Sequence, residues 1–592
     1  MCGILAAYGL TGDPEKNRRL ILRLSKLLRH RGPDGNAVYV NAEHGVYLAH
    51  ERLNIVDVTD HGRQPFTMQT PEGELAWLCN GETYNQWNLR ETVLKDCKFL
   101  ETTTSDSAVV GPLYLLDKNF ADVSNHMDGL FATALFDARS KEFFASRDEM
   151  GKASMYWGRG ADGSVWVSSE MKALQDVCTE YHIFPPGHHM HVPPGAKDPV
   201  FQRWFTPRWI TDPEYIPTQK ADTKVIHDIL VKAVVKRLMT DVPFGILLSG
   251  GLDSSLVAAI AVKHLKEAEH TYAMKKLKTF SIGLPGAPDL EAARKVADQL
   301  GTDHYEFTFS VEDGIDALRD LIWMIESFEQ VRAAVPMYLL SRKIKAMGTK
   351  MVLSGEGADE IFGGYLYFHK APSAEEFHKE TVRKTSRLHQ WDVLRANKST
   401  FAWGLEARVP FLDRDFLNYC MDVDAADKMI DMSDKPDGVH PRMEKYLLRK
   451  AFDTPDDPYL PAEVLWRQKE QFSDGVGYNW VDGLKEYCHK VVTDDMWAKR
   501  AERFPEHTPR TREYYHLRDL FEQQFPGAHA LETIPKGLSV ACSTPEAVSW
   551  DPEWENLHEI SGRAVKVHDS SHGFKSMDAI NGAPKVSPAA LA

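Results

Sequence analysis

The chain has 592 residues, 43% of them hydrophobic and 26% charged, with a formal net charge of -15. That length exceeds what one hydrophobic core organises, so two substantial domains with appendages are expected. The acidic balance argues against broad affinity for nucleic acid or an acidic membrane surface, which need basic patches, and no apolar run is long enough to span a bilayer. Neither nucleic acid nor membrane is therefore an expected partner.

The N-terminus lacks a signal-peptide layout, because Met-Cys-Gly turns charged by Glu15. Cys2, Cys79, Cys97, Cys178, Cys420, Cys488 and Cys542 are scattered without metal-ligand spacing and read as reduced thiols of a cytoplasmic protein. Residues 2–205 alternate short strand-like runs (Gly45–Ala49, Leu75–Cys79, Gly129–Phe136) with Gly, Asn and Asp turns, and carry one amphipathic helix over Asp13–Arg29. The pattern predicts a layered α/β domain of mainly antiparallel sheets.

Cys2 is the informative residue of this half. Removal of Met1 would leave a cysteine with a free α-amine, whose ordinary pKa of about 7.7–8.0 suits it to accept the thiol proton. Such a nucleophile contains its own base. Position alone would make Cys2 no more than a small residue near a terminus. It is followed, in order, by Arg29-His-Arg-Gly-Pro-Asp34, Ala49-His-Glu-Arg-Leu-Asn-Ile-Val-Asp57, Asn80-Gly-Glu-Thr-Tyr-Asn85 and Met127-Asp-Gly-Leu-Phe131.

This series resembles the glutaminase domain of N-terminal-nucleophile (class II) glutamine amidotransferases. The resemblance implies that Cys2 attacks the glutamine amide while Asn80 and the Gly81 N–H form the oxyanion hole. It implies glutamine binding by Arg52, Leu53, Asn54, Ile55, Val56, Asn80, Gly81, Glu82 and Asp106, with Arg52 on the α-carboxylate and Asp106 on the α-ammonium. Ser107, Ala108 and Gly35 depart from the family's usual Cys, Glu and Trp, and the segment after Arg147-Asp148 lacks its Lys/Arg-Pro-Leu.

Residues 206–222, with Pro207, Pro213 and Pro217, read as a linker. A helix is predicted over Thr223–Met239, then an apolar strand entering Ser249-Gly-Gly-Leu-Asp-Ser-Ser255 and a helix through Leu256–Val262. Two glycines let backbone N–H groups approach a ligand, and the helix N-terminus that follows favours phosphate. The alternation continues with strands at Lys278–Gly283, Glu306–Phe309 and Lys350–Leu353 and helices at Leu290–Leu300, Val311–Ile325 and Met337–Ala346. It predicts a doubly wound parallel sheet, with helices on both faces, spanning residues 223–535. Ser354-Gly-Glu-Gly-Ala-Asp-Glu360 ends the last predicted strand, so a glycine loop and a carboxylate cluster should share one sheet edge.

The string Ser249–Ser255 resembles the pyrophosphate loop of ATP pyrophosphatases. With Ser354–Tyr365, Leu394–Lys398, Gly404–Asp413 and the stretch from Trp466, the half is similar to the synthetase domain of glutamine-hydrolysing asparagine synthetases. The resemblance covers residues 2 to about 565. It implies ATP as substrate, β-aspartyl-AMP and pyrophosphate as first products, and ammonia from Cys2 as the displacing nitrogen. Leu248, Ser249, Gly250, Gly251, Asp253, Ser254, Ile282, Ser354 and Gly355 would bind ATP. Asp253 and Asp359 would hold Mg2+, and Glu356 and Lys469 would be catalytic.

Small-molecule substrates are thus the expected partners, with a homodimer left open. Arg408 could bind phosphate or pair with Glu406 or Asp413. The segment Glu326–Pro336 lacks the family's paired threonines and looks two residues short, so weakened synthesis or an altered acid substrate is expected. Two other readings stay open: an amidotransferase acting on another carboxylic acid, and a catalytically weak regulatory paralogue. Residues 536–592 are expected to form an extension that is disordered beyond Val567.

Overall fold

The computed structural model describes residues 2–117, 119–196, 198–469 and 472–554. Among these residues, the strands form two six-stranded antiparallel sheets and one five-stranded parallel sheet.

The first sheet runs Cys178–Ile183, Tyr156–Gly160, Val165–Ser168, Gly3–Tyr8, Val46–Arg52, Gly35–Asn41. The second runs Val200–Arg203, His188–Val192, Glu142–Arg147, Gly129–Asp137, Gly73–Thr83, Phe66–Thr70. The two-residue period of a strand sorts the first of them by face. Ile4 and Ala6 join the core between the sheets with Trp77 and Phe131, while Leu5 and Ala7 pack with Ile21 and Leu24 of the helix Pro14–Ser25. That helix starts where Asp13 accepts the Lys16 N–H at 2.8 Å and proline occupies its first turn. Helices Val110–Asp117 and Phe120–His126 cover the second sheet, completing a helix–sheet–sheet–helix stack.

The parallel sheet runs Asp303–Thr308, Lys278–Gly283, Phe244–Leu247, Met351–Leu353, Glu406–Arg408. Numbered along the chain, this is the order 3-2-1-4-5, and it reverses between Phe244–Leu247 and Met351–Leu353. A crevice opens at such a switch point outside the carboxyl ends of the strands. The loops after these two strands are the glycine loop and the carboxylate loop.

Three local expectations are revised. The predicted helix Val311–Ile325 is two helices, Val311–Asp316 and Leu318–Ile325, the first opened by a reciprocal Ser310/Asp313 cap. The predicted helix Met337–Ala346 starts earlier, at Val331, so about half of the segment Glu326–Pro336 is helical. Pro336 sits inside that helix and cannot donate to the Arg332 carbonyl. The indole N–H of Trp480 donates to this carbonyl at 2.8 Å instead, which satisfies the group proline leaves free. Finally, Glu406–Arg408 adds a fifth strand, too short to show a period in sequence.

The two halves are pinned together by buried charge. Lys398 Nζ lies 2.5 Å from Glu326 Oε2 and donates to the Tyr156 hydroxyl at 2.8 Å. Glu326 also accepts the N–H groups of Met171 (2.9 Å) and Lys172 (2.8 Å). After Glu532 the chain packs Val540, Ala547 and Trp554 against Tyr365, Tyr367 and Phe377. The expected disorder beyond Val567 falls outside the described residues.

Candidate active sites

Cys2 immediately precedes the strand Gly3–Tyr8 and is buried. Its chain nitrogen donates to Asn80 Oδ1 at 2.6 Å, and its sulfur accepts the Leu53 N–H at 3.4 Å. Burial pushes the Cys2 thiol up, so a base is needed to take its proton. Arg31 fixes Cys2 from behind: its Nε donates to the Cys2 carbonyl at 3.1 Å and its Nη1 pairs with Glu170 at 2.9 Å.

Asn80 and Gly81 sit mid-strand, opposite Ala132 and Phe131. Asn80 Nδ2 is buried without a hydrogen-bond partner, a donor of the kind a developing oxyanion would satisfy. A Cβ at Gly81 would lie 2.0 Å from the Leu130 carbonyl, so no side chain fits there. The Arg52 guanidinium is aimed by the carbonyls of Thr59 (2.7 Å) and Asp57. The chain after it is held at Asn54, whose N–H donates to Asp34 at 2.8 Å, and at Ile55, whose carbonyl accepts the Asp241 N–H at 2.9 Å. Val56 is only partly buried, against the same core.

Asp106 accepts the Thr83 N–H at 2.6 Å, and burial pushes its carboxyl up from 3.8 to about 6. Glu82 is raised further, by burial and by Glu406, although Arg408 approaches it at 3.2 Å. That contact settles the Arg408 alternatives. Its guanidinium is fully buried against Glu406 (2.7 Å), Glu82 and the carbonyls of Arg237 and Met239, while Asp413 pairs with Arg237 at 2.7 Å. Arg408 therefore ties the last parallel strand to the N-terminal half through Glu82.

The second site is a cavity of about 270 Å³ at the switch point. Leu248, Ser249, Gly251, Asp253, Ser254, Ile282, Ser354, Gly355, Glu356, Asp359 and Lys469 all line it, bringing nearly every residue implied by the resemblance to one place. Gly250 is the exception. Its φ is 76° and a Cβ there would meet the Ala293 nitrogen at 2.4 Å, so it shapes the turn against the helix Pro288–Leu300. Ser249 and Ser254 hydroxyls lie 3.0 Å apart at the start of the helix Leu252–His264. The two loops touch, since a Cβ on Gly355 would come within 2.8 Å of the Ser254 nitrogen.

Lys445, which carried no motif in sequence, stands between the two expected metal ligands. Its Nζ is 2.6 Å from Asp253 and 2.5 Å from Asp359, and Lys469 Nζ is 2.8 Å from the other Asp359 oxygen. Burial alone would raise the Asp359 carboxyl, but the two ammonium groups hold it below the usual carboxylate range. Burial likewise opposes charge on Lys469, and Asp359 with Asp253 overrides it and keeps Lys469 protonated. Asp253 Oδ1 is buried without a hydrogen-bond partner, which leaves one carboxylate oxygen suited to a divalent cation.

Facing this cluster is an acid network. Glu356 Oε1 accepts from Arg395 Nη2 at 2.8 Å, and Arg395 Nη1 pairs with Asp392 at 2.9 Å. Gln330 joins in, donating to Asp392 at 3.0 Å and accepting from Arg395 at 3.2 Å. Burial raises the Glu356 carboxyl against the pull of Arg395. Glu360, considered with Glu356 and Asp359, is instead turned to the Tyr365 hydroxyl at 2.6 Å, outside the cavity lining.

One helix, Asp392–Phe401, reaches both sites. Asp392 and Arg395 line the cavity, and one turn on Asn397 Oδ1 accepts from Arg31 Nη2 at 3.3 Å. Sequence quoted this stretch as a motif and assigned it no role.

The family model described as asparagine synthase matches residues 225–377 and 370–532, and that of the glutamine amidotransferase domain matches 1–185. Asparagine synthetase [glutamine-hydrolyzing] 3 of Arabidopsis thaliana is 50% identical over 577 residues, 97% of this chain and 96% of its own. Asparagine synthetase [glutamine-hydrolyzing] 2 of the same plant is 51% identical over 576 residues, with coverage of 97% and 96%. An asparagine synthetase [glutamine-hydrolyzing] of Triphysaria versicolor is 50% identical over 580 residues, covering 97% of this chain and 94% of its own.

Proposed function

The chain belongs to the glutamine-hydrolysing asparagine synthetase family, and on that premise we propose how its own residues divide the reaction. The overall activity is ATP-dependent synthesis of asparagine with nitrogen taken from glutamine. We divide the chain into a glutaminase domain (2–205), a linker (206–222), a synthetase domain (223–535) and an extension from 536.

At the first site, loss of Met1 turns the Cys2 nitrogen into the α-amine, which takes the thiol proton as sulfur attacks the glutamine side-chain amide. Asn80 Nδ2 and the Gly81 N–H meet the oxyanion. Collapse expels ammonia and leaves a thioester that water hydrolyses to glutamate. Arg52 and Asp106 hold the α-carboxylate and α-ammonium, with Leu53–Val56 and Glu82 completing the pocket. The observation that carries this reading is Asn80, which grips the Cys2 nitrogen through Oδ1 while its Nδ2 stays buried and unpaired.

At the second site, the aspartate β-carboxylate attacks the α-phosphorus of ATP and pyrophosphate leaves. Ammonia then displaces AMP from the acyl carbon. Lys445 and Lys469 neutralise charge on the departing pyrophosphate. The loop Ser249–Ser254 cradles phosphate, and Leu248, Ile282, Ser354 and Gly355 flank the nucleotide. Glu356, raised by burial and held by Arg395, accepts a proton from the attacking ammonia. Asp253 and Asp359 would hold Mg2+, which when bound neutralises and orients the phosphates.

None of the seven cysteines is in a disulfide, which fits a reducing compartment and a cytoplasmic location. No helix of the described residues is long and apolar enough to cross a membrane. The assay that tests the residue assignment is aspartate-dependent ATP–pyrophosphate exchange. Lys469→Ala should lower exchange by about 10²–10³-fold, the scale of deleting one charge-stabilising donor, while glutaminase activity persists. Wild-type exchange in that variant would remove Lys469 from the adenylation step.

A further inference from the structure

Far along the chain from both sites, the edge strand Cys178–Ile183 of the first sheet packs against the short helix Ala528–Glu532. Three ligand-type atoms converge there. His182 Nδ1 is 4.0 Å and His529 Nδ1 3.6 Å from Glu532 Oε2, and one ligand atom from each of the three residues lies within 4.8 Å of the other two. His529 and Glu532 are three residues apart on one helix and so share a face. His182 comes from the other half of the chain.

An ordinary histidine–glutamate pair would close to hydrogen-bond distance, and these separations exceed it. His529 Nδ1 is buried and has no hydrogen-bond partner, although its neighbours offer it a carboxylate. Two imidazole nitrogens and a carboxylate are the donor set of zinc-class ions. With metal–ligand bonds of about 2.0–2.2 Å, tetrahedral ligand atoms stand about 3.4 Å apart. Closing from the observed spacings asks for movement of about an ångström or less by each side chain. Such movement is easy for side chains that are 38%, 37% and 53% exposed. The same three residues line a cavity of about 370 Å³, with room for a fourth, exogenous ligand.

A second triad, Asp437, His440 and Asp453, meets the same distance criterion. It is already occupied by protein cations: Lys450 reaches Asp437 at 3.4 Å and Asp453 at 2.8 Å, and His440 bonds Asp437 at 3.0 Å. That arrangement is a satisfied ion-pair network.

We propose that His182, His529 and Glu532 bind one divalent transition-metal ion of the zinc class, clasping the edge strand of the glutaminase half to the C-terminal helix of the synthetase half. The test uses full-length protein stripped with a chelator and titrated with Co2+, then Zn2+. Expected is one Co2+ per chain with visible d–d absorption, displaced by one Zn2+. His182→Ala, His529→Ala and Glu532→Gln should each weaken binding at least tenfold while keeping the wild-type circular dichroism of the metal-free protein, and Asp453→Asn should bind as wild type. Zn2+ should raise the melting temperature of the wild type and leave that of His182→Ala unmoved. Failure to bind Co2+ one-to-one, binding that survives all three substitutions, or loss in Asp453→Asn instead would overturn the site. An equal melting shift in wild type and His182→Ala would overturn the clasp.

Discussion

Asp106 is a carboxyl tuned into the working pH range beside the strand that carries Asn80 and Gly81, and its tuning cuts two ways. Burial raises its carboxyl from 3.8 to about 6, so the folded chain binds this proton more tightly than the unfolded chain does. Its contribution to stability is therefore full below the unfolded value and lost as pH rises through about 6. The role proposed for Asp106 needs the opposite state, since only the carboxylate attracts an α-ammonium. We expect kcat/KM for glutamine to rise between about pH 5 and 7 with an apparent pKa near 6, and Asp106→Asn to abolish that limb. The same variant, whose amide oxygen still accepts the Thr83 N–H, should gain up to about 3 kcal/mol of stability at pH 8, read from urea midpoints. Unchanged stability with an unchanged pH limb would mean the carboxyl is not held high. Gly81→Ala forces a Cβ to within 2.0 Å of a carbonyl and should cost more than about 3 kcal/mol, checked by denaturation.

At the scale of elements, the helix Asp392–Phe401 deserves the weight the sequence did not give it. Its first turn carries Asp392 and Arg395 into the adenylation cavity, and its next turn touches Arg31, which grips the Cys2 carbonyl. Asn397→Ala should leave each half-reaction near wild type but lower the asparagine formed per glutamine hydrolysed; unchanged stoichiometry would show that this link transmits nothing. The loops around it were legible because glycine and carboxylate strings follow apolar runs. Lys445 was not, because it stands in an irregular stretch and its role comes from a left-handed backbone (φ 59°) that only the fold reveals. The helix predicted from Met337 was begun six residues late because Pro336 normally bounds a helix, and the Trp480 indole that satisfies the Arg332 carbonyl lies 148 residues away in sequence. In the segment Glu326–Pro336, Gln330 supplies an amide bridging Asp392 and Arg395. Gln330→Ala should lower pyrophosphate exchange with aspartate and spare glutaminase activity.

For the whole molecule, the two halves are joined by charges that no linker reading could anticipate. The buried Lys398–Glu326 pair of the second half meets the Tyr156 hydroxyl and the Met171 and Lys172 N–H groups of the first, and Arg408 pairs with Glu82, 326 residues away. Breaking such a pair strands a charge, so Glu326→Ala should cost about 3–5 kcal/mol and release the halves as separate thermal transitions. A single unshifted transition would assign the cohesion elsewhere. Fold class and most of each pocket could be read from ordered motifs, because strand alternation and glycine turns are local. The contacts that make two sites into one enzyme are nonlocal, and they surfaced only in three dimensions.

The central claim is that Cys2 supplies the nitrogen for an acid activated at the distant cavity as an adenylate. The most direct test incubates the protein with glutamine labelled by 15N in its amide, aspartate labelled by 18O in its β-carboxylate, ATP and Mg2+, and weighs the products by mass spectrometry. The account predicts 15N in the asparagine and one 18O in the AMP, with a Cys2→Ala variant making asparagine only from added ammonia. AMP free of 18O, or asparagine free of 15N, would contradict it.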